Sequence, residues 1–359
     1  MKKKLKHKHH GFTLVELIVV AGIITLLATL SVVGISKARM QARDVARTEK
    51  ARSVVLALES YYNKHNSYPA IITPGQKFTD SDGILYINEV PSNPRPQTDG
   101  FCPDKNFHYE AINGNSNYIL TFCLGTDKGS LKKGLNYYQN GSLSGCGTLL
   151  SDRDGYTYNT VQIGGQCWMA DNLKTRTKPN GTALTNLAED SERDCSNTLG
   201  NHGTETDCAA GNALYTWAAA MNDSTGEGAQ GLCPDGWHIP SDGDWYDLES
   251  FLKDTGQGCV ANRNGDIPGS QCDSAGTKML SNGTSGFNTI FSGLRATDPL
   301  FTDNFIDFDY ASYFWSSTLA GSDKIIRSLN IDTPGIIRQT VTDSSSLINN
   351  FSVRCLKNY

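Results

Sequence analysis

The sequence predicts an α+β protein with a long N-terminal helix, a small strand-rich head and a larger, loop-rich domain of mixed helix and strand. Three observations lead to this prediction. Residues 12–35 are almost entirely apolar, all ten cysteines lie beyond residue 100, and all five tryptophans lie beyond residue 150. With 359 residues, the chain is long enough for two ordinary domains plus an anchor.

The charge balance argues against a nucleic-acid partner. The chain has a formal net charge of −5, and removal of the five lysines in residues 1–11 takes it to −10. Phosphate contacts need clustered lysine and arginine, which an acidic body does not supply. We therefore expect no nucleic-acid binding.

The cysteine pattern predicts disulfides rather than a metal site. Ten is an even number, and no two cysteines have the C-x-x-C spacing that structural zinc sites usually use. In an exported protein such cysteines form several disulfides, and the alternative is a set of buried free thiols. We expect no metal and no cofactor.

The first 35 residues predict a membrane-spanning helix with an unusual start. From Phe12 to Ile35 the 24 residues would form roughly 36 Å of helix, enough to cross a bilayer core. Gly11 comes before the apolar run, whereas a secretory signal has its small cleavage residues after it. Glu16 would cost a few kcal/mol inside a membrane without a partner. If the chain were cut after Gly11, this carboxylate could pair with the new α-amine of Phe12 on a neighbouring subunit.

The stretch GFTLVEL resembles the class III signal of type IV prepilins and type II secretion pseudopilins. The resemblance implies that a prepilin peptidase cuts between Gly11 and Phe12 and methylates Phe12, and that Glu16 acts in subunit pairing. It also implies other pilin subunits and an inner-membrane assembly platform as partners. The protein would be a single-pass cytoplasmic membrane protein before assembly and an extracellular surface filament afterwards. The alternative is a plain N-terminal anchor with an isolated glutamate.

Composition predicts five segments along the chain. They are a leader (1–11), a transmembrane and stalk helix (12–64), a pilin-like head (65–124), a Gly-, Ser- and Asn-rich linker (125–150) and a second domain (151–359).

The stalk should have an apolar stripe against the head and a charged face toward neighbouring subunits. For most of the individual charges the alternative is a face that is merely solvated. The stripe comprises Ala51, Val54, Val55, Leu58, Tyr61 and Tyr62, and the charged face comprises Arg39, Arg43, Arg47 and Lys50, interleaved with Asp44 and Glu49.

In the head we expect a β-hairpin. Residues 107–111 and 118–123 suit strands, and NGNSN suits the turn between them. A Cys102–Cys123 disulfide would close this region. Asp80 and Asp82 could ligate calcium, which some pseudopilins bind, but an Asp-rich turn is the commoner explanation.

The second domain contains an ordered series of motifs, including QIGGQCWMADNLKT, GLCPDGWHIPSDGDWYDLESFL, SYFWSST and NFSVRCLKNY. Together they resemble the Fibrobacter succinogenes major paralogous domain, a module of secreted bacterial proteins. They also resemble the wider C-type lectin-like and sulfatase-modifying-factor superfamily. This resemblance implies a mixed α/β, disulfide-bonded fold.

In such a module, a Cys233–Cys355 disulfide would join the central loop to the last strand. Cys195–Cys208 and Cys259–Cys272 are natural short-loop pairs, which leaves Cys146–Cys167, although ten cysteines allow many connectivities.

The segment after Pro240 predicts a helix. Ser241 or Asp242 would cap it. The expected buried stripe consists of Trp245, Leu248, Phe251 and Leu252.

Tryptophans of a strand-rich module usually build its core, but one or two can serve as stacking platforms for sugars. The candidates for a ligand surface are Trp168, Trp237 and Trp315. Calcium-dependent sugar binding is not expected, because Trp315-Ser316-Ser317 lacks an adjoining Asn-Asp pair and no E-P-N or Q-P-D triplet occurs.

The sequence contains no G-x-S-x-G, Walker or His-x-x-x-His pattern, so we expect no enzyme. The leading hypothesis is a pilin-like subunit whose second domain binds an extracellular ligand, either a host or microbial surface or a polysaccharide. The alternative is a pseudopilin-like part of a type II secretion or DNA-uptake machine, with the second domain as a scaffold contact. The third hypothesis is a surface-anchored hydrolase.

Overall fold

The computed structural model describes residues 14–359 except 101, 104, 130, 140, 186–190, 198–201, 266–271, 299–300, 334 and 343–348. The first element is a 52-residue helix, α1 (Leu14–His65), which is roughly 78 Å long. It ends where Asn66 adopts a φ of 52° and its N–H donates to the carbonyl of Tyr62. The N-terminal part of α1 is exposed, and its C-terminal part packs on the head.

The described residues of the head form two small antiparallel sheets. Its strands are β1 (Phe78–Thr79), β2 (Leu85–Ile87), β3 (His108–Ile112), β4 (Asn117–Leu124), β5 (Gly134–Gln139) and β6 (Ser142–Gly145). β1 pairs with β2, and the other four form a sheet in the order β3-β4-β5-β6. The hairpin expected from the sequence is confirmed as β3 and β4, joined through left-handed Asn113 and Asn115.

The prediction of a linker over residues 125–150 is wrong in part, because β5 and β6 lie in this range and complete the head sheet. Two of the glycines on these strands allow close packing. Gly134 has a φ of 102°, and a Cβ on it would lie 2.6 Å from the side chain of Gln162. A Cβ on Gly145 would lie 2.6 Å from the side chain of Asn136.

The head sheet is covered on both faces, which explains why β4 is buried along nearly its whole length. Successive side chains of a strand point to opposite faces. Tyr118 and Leu120 belong to the core shared with α1, whereas Ile119 forms a cluster with Ile112 and Tyr137 on the opposite face. That opposite face lies against the second domain.

The second domain has three sheets and four short helices among its described residues. Its strands are β7 (Leu150–Ser151), β8 (Thr157–Tyr158), β9 (Thr160–Ile163), β10 (Gln166–Met169), β11 (Arg193–Cys195), β12 (Ala213–Thr216), β13 (Trp237–His238), β14 (Ser292–Asp298), β15 (Phe301–Phe308), β16 (Ala311–Ala320), β17 (Asp323–Asn330), β18 (Ile337–Val341), β19 (Asn349–Phe351) and β20 (Leu356–Lys357). Its α-helices are α2 (Glu205–Asp207), α3 (Trp217–Ala220), α4 (Asp242–Leu252) and α5 (Ala275–Met279), and a π-turn (Cys208–Asn212) follows α2.

Two of these sheets bring distant parts of the chain together. The larger runs β11-β12-β19-β14-β16-β17-β18, with β15 paired to β14, and the smaller runs β13-β20-β10-β9. The last strand, β20, therefore lies between strands from the start and the middle of the domain. β7 and β8 form a separate pair. The expected α+β class is confirmed.

The helix predicted after Pro240 is α4, and Ser241 caps it by accepting a hydrogen bond from the N–H of Asp244. Trp245, Leu248 and Leu252 are buried as expected. Phe251 is 48% exposed, so its place in the buried stripe was wrong. The positions i, i+3, i+4 and i+7 from Trp245 face the core. The fourth member of this stripe is Glu249.

Candidate functional site: the exposed helix and the domain junction

The N-terminal part of α1 exposes apolar side chains on every side. Leu14, Val15, Leu17 and Ile18 are each more than 60% exposed. Helix α1 is long and apolar enough to cross a membrane, and none of its most apolar stretch is buried within the chain. Such a surface is unfavourable in water, so a bilayer or other apolar helices must cover it.

The polar side chains of this stretch are compatible with an apolar environment. The hydroxyls of Thr25, Thr29 and Ser31 donate to helix carbonyls three or four residues earlier, at 2.7–2.8 Å. Glu16 lies in the first turn, where a carboxylate interacts favourably with the helix dipole. Gly11 and Phe12, the predicted processing residues, lie outside the described residues.

Further along α1, a buried ion network joins the helix to the head. Arg47 is fully buried and donates to Asp44 at 2.8 Å, Asn93 at 2.8 Å and Asp99 at 2.7 Å. Asp44 also accepts the backbone N–H groups of residues 125 and 126. We call this network the helix–head contact. Every charge in it has partners, which is the condition for a buried ion pair to be tolerated.

The pKa of Asp99 reflects the ion pairs in this contact. Burial alone would raise the pKa of its carboxyl, but hydrogen bonds from Arg43 and Arg47 outweigh burial and lower it. The prediction that the charged face of the stalk meets neighbouring subunits is therefore wrong for Asp44 and Arg47. Spacing alone could not distinguish a solvated face from one that the head covers.

The turn between β1 and β2 contains Asp80 and Asp82, the candidate calcium ligands. Asp80 accepts hydrogen bonds from the N–H groups of Asp82 and Ile84, from Lys64 at 2.7 Å and from Tyr86 at 3.0 Å. Lys64 also pairs with Asp82 at 2.7 Å. The geometry is that of an Asp-rich turn fastened to the end of α1.

All ten cysteines lie among the described residues and form five disulfides. The pairs are Cys102–Cys123, Cys146–Cys167, Cys195–Cys208, Cys233–Cys355 and Cys259–Cys272, which are the five pairs expected from the sequence. One metal-like grouping brings Glu249 near Cys259 and Cys272. Both of its sulfurs are in a disulfide, and Glu249 is paired with two arginines, so the group is structural.

The prediction that tryptophans form a ligand surface is wrong, because Trp168, Trp237 and Trp315 are at most 1% exposed. Trp168 packs against Trp245 with ring centroids 4.8 Å apart, and Trp315 packs against Phe351 at 4.4 Å. These rings build the core and cannot stack on a sugar. Large aromatic side chains in a domain of this size are drawn inward by their apolar area.

Sequence reasoning missed the buried arginines of the second domain. Arg354 of the V-R-C motif is fully buried, donates to the carbonyls of Met169 and Asn288 and to Asn172, and lies 4.5 Å from the Phe287 ring. Burial lowers the pKa of Arg354 to about 9. Its position beside the disulfide cysteine Cys355, just before the last strand, was the available signal that it lies in the core.

The head and the second domain meet at a junction formed around the last four residues, 356–359. Asn358 donates to Glu110 of the head at 2.7 Å and contacts His238 of the second domain at 2.7 Å. On β9, two strands from β20 in the same sheet, Gln162 accepts the N–H of Leu135 at 2.9 Å. The Cys146–Cys167 disulfide links the two domains beside these contacts.

Lys357 lies at the centre of this junction. Its side chain is 3% exposed, and its Nζ lies 4.0 Å from the Tyr137 ring of the head and 5.6 Å from the Trp237 ring of the second domain. Among the described residues, Nζ has no hydrogen-bond partner. Gly236 allows this approach, because a Cβ there would lie 2.9 Å from Nζ and 2.1 Å from Ile119.

Two cavities flank the junction. One has a volume of about 370 Å³ and is lined by Lys105, His238, Asp244, Asp247 and Phe251, among others.

The other is an open polar cleft of about 800 Å³, which we call the junction cleft. Its lining includes Tyr137, Gln139 and Ser142 from the head and Arg153 and Asp235 from the second domain.

Comparison with known proteins agrees with this division of the chain. Residues 161–357 match the Fibrobacter succinogenes major domain, and residues 6–32 match the prokaryotic N-terminal methylation motif. A curated relative, the type IV wide pilus major component PilA4 of Thermus thermophilus, is 30% identical over 126 residues. The match covers 34% of this chain and 86% of that protein. No solved structure gives a significant match.

The uncovered apolar helix, the methylation motif at its start and the similarity to a pilus component all point to a filament subunit. The chain is a type IV pilin-like subunit and belongs to the Fibrobacter succinogenes major domain family.

Proposed function

We propose that this chain is a structural subunit of an extracellular type IV filament and that its second domain presents a binding surface for cells or polysaccharide. The observation that carries the proposal is the exposed apolar part of α1, which needs a cover that the chain does not supply. The partners follow from the pilin family: other pilin subunits, a prepilin peptidase and a membrane assembly platform. A related protein is named as a pilus component, which favours a filament over a secretion machine.

Within the filament, Glu16 pairs with the α-amine of Phe12 of a neighbouring subunit after cleavage at Gly11. An amine brought into an apolar helix bundle needs a counter-charge, because an uncompensated buried charge costs about 3–5 kcal/mol. Glu16 lies in the first turn of α1, close to the new N-terminus.

Replacement of Glu16 by glutamine tests this pairing. Glu16→Gln keeps the size and removes the charge, so we expect the membrane level to stay unchanged while sheared filaments fall more than tenfold. Glu89→Gln, at an exposed position of the head outside the charged face of the stalk, should assemble normally. Immunoblots of membrane and sheared fractions measure both. Normal filament yield from Glu16→Gln would contradict the pairing, and a protein confined to the envelope would favour the pseudopilin-like alternative.

The second domain acts by binding rather than by catalysis, and its contact surface is the junction cleft, whose lining it shares with the head. Its polar lining and open shape suit a polyhydroxylated ligand better than an apolar one. Two carboxylates of this lining are already engaged. Asp152 accepts the N–H groups of residues 154 and 156, and Asp154 accepts the hydroxyls of Thr175 and Thr177. They therefore hold loops in place, and we propose neither an enzyme nor a cofactor here.

A bulky substitution in the cleft tests the ligand surface. Ser142 is exposed on β6, so Ser142→Trp should fill part of the cleft without disturbing the core. We expect at least tenfold weaker retention of purified filaments on immobilised polysaccharides. The matched control is Ser81→Trp, which lies on an exposed turn outside the cleft lining. Equal retention of both variants and the unmodified filaments would place the contact surface elsewhere.

A further inference from the structure

The buried lysine at the junction has no role in the proposed filament function, and it is the strongest unexplained group among the described residues. We propose that Lys357 makes the junction a proton-sensitive contact: the head and the second domain pack most tightly when Nζ is a neutral amine and loosen when it is an ammonium. This inference does not depend on the ligand of the second domain.

The geometry favours the neutral amine in the packed state. Lys357 is buried between Tyr137 of β5 and Trp237 of β13, and Nζ has no hydrogen-bond partner among the described residues. An ammonium needs hydrogen bonds or a direct counter-charge when it leaves water. Two ring faces offer only partial compensation. Burial accordingly lowers the pKa of Lys357 to about 7.

The two carboxylates that face Lys357 accept hydrogen bonds from other residues. Glu110 of β3 accepts a hydrogen bond from Asn358 and has His108 beside it at 3.9 Å. Asp235, on the loop before β13, accepts from Gln230 at 3.1 Å. Both carboxylates favour the ammonium electrostatically, but neither outweighs burial.

On the other side of the junction, the 370 Å³ cavity that Lys357 lines also carries Lys105, His238, Asp244 and Asp247. Asp244 accepts a hydrogen bond from the hydroxyl of Ser241 and contacts His238, and burial beside Asp244 raises the pKa of Asp247. These groups pair among themselves or face the cavity, and none bonds Nζ.

The direction of the pH effect follows from the lowered pKa. Between about pH 7 and about pH 10.4 an exposed lysine is protonated, whereas the packed Lys357 is neutral. Loosening of the junction then takes up one proton, so its equilibrium constant should fall about tenfold per pH unit as the pH rises. The dependence should level off below about pH 7. The Cys146–Cys167 disulfide keeps the domains linked, so the change is a local opening.

Hydrogen–deuterium exchange of the full chain in detergent micelles measures this opening. The reporters are the N–H group of Leu135, which donates across the junction to Gln162, and that of Asn358, which donates to the carbonyl of Gly236 beside the junction. After correction for intrinsic exchange, we expect their protection to rise about tenfold from about pH 8 to about pH 9. The amides of β17 should show no such change.

Two variants and one control isolate Lys357. Lys357→Met should give high protection without pH dependence, and Lys357→Arg should give low protection without pH dependence. Lys77→Met removes an exposed lysine and should behave as the unmodified chain does. Should Lys357→Met fail to fold, NMR titration of the unmodified chain with isotope-labelled lysines still tests the proposal. The proposal is overturned by junction protection that is independent of pH, or by a Lys357 signal that titrates with the exposed lysines.

Discussion

The helix–head contact and the domain junction both bury a basic side chain, but only the helix–head contact provides it with hydrogen-bond partners. Arg47 is surrounded by Asp44, Asn93 and Asp99, whereas Lys357 has two aromatic rings and no hydrogen-bond partner among the described residues. A fully paired charge fixes one geometry, and an unpaired one leaves the contact sensitive to conditions. The difference indicates a head locked rigidly to the filament helix and a second domain attached by a more adjustable contact.

Removal of Arg47 should have the largest effect. Arg47→Met leaves the buried carboxylate of Asp44 without its cation and leaves Asp99 with Arg43 alone, so we expect the head to lose about 3–5 kcal/mol of unfolding free energy. Arg52→Met, at an exposed position of the same helix, should change stability by less than about 0.5 kcal/mol. Denaturant unfolding of the full chain in detergent, followed by circular dichroism, measures both. Similar stability for the two variants would mean that the helix–head contact does not hold the head on α1.

Loss of the junction disulfide should have the second-largest effect. A double Cys146→Ser, Cys167→Ser variant removes a covalent link between the domains, and such a link typically contributes about 2–4 kcal/mol. We expect junction amides to exchange faster while the amides of β17 keep their protection. The matched control is Cys195→Ser, Cys208→Ser, which removes a disulfide inside the second domain. If both variants loosen the junction equally, the Cys146–Cys167 bond has no special role there.

The smallest expected effect is on the acid sensitivity of the helix–head contact. The pKa of Asp99 is lowered in the folded head, so its contribution is present above its unfolded pKa and is lost as the pH falls through the folded value. We expect Asp99→Asn to flatten the decline of stability with acid. Exposed Glu89→Gln should leave that decline unchanged. Unfolding curves recorded between about pH 5 and about pH 2 make the comparison, and parallel curves for all three proteins would contradict it.

Local patterns in the sequence predicted much of the fold. The apolar run and the stalk stripe predicted α1, in which Ala51, Val54 and Leu58 are buried. Turn chemistry predicted the β3–β4 hairpin, and Pro240-Ser241 predicted the start of α4. Each of these depends on residues close together in the chain, where helical periodicity, turn residues and caps act directly.

The features that the sequence did not reveal depend on contacts between distant segments. Arg47 looked like part of a solvated face, but it bonds Asp99, 52 residues away. Residues 125–150 looked like a linker because the glycines of close-packed strands resemble those of flexible chains. Lys357 appeared as an ordinary lysine in the final strand. Its burial follows only from the docking of the head against the second domain.

Intact-mass analysis of mechanically sheared surface material tests whether this chain is processed at Gly11 and assembled into a filament. We expect a mass that begins at methylated Phe12 and lacks the two hydrogens lost in each of the five disulfides. A chain that retains Met1 and is found only in the cell envelope would contradict both processing and assembly.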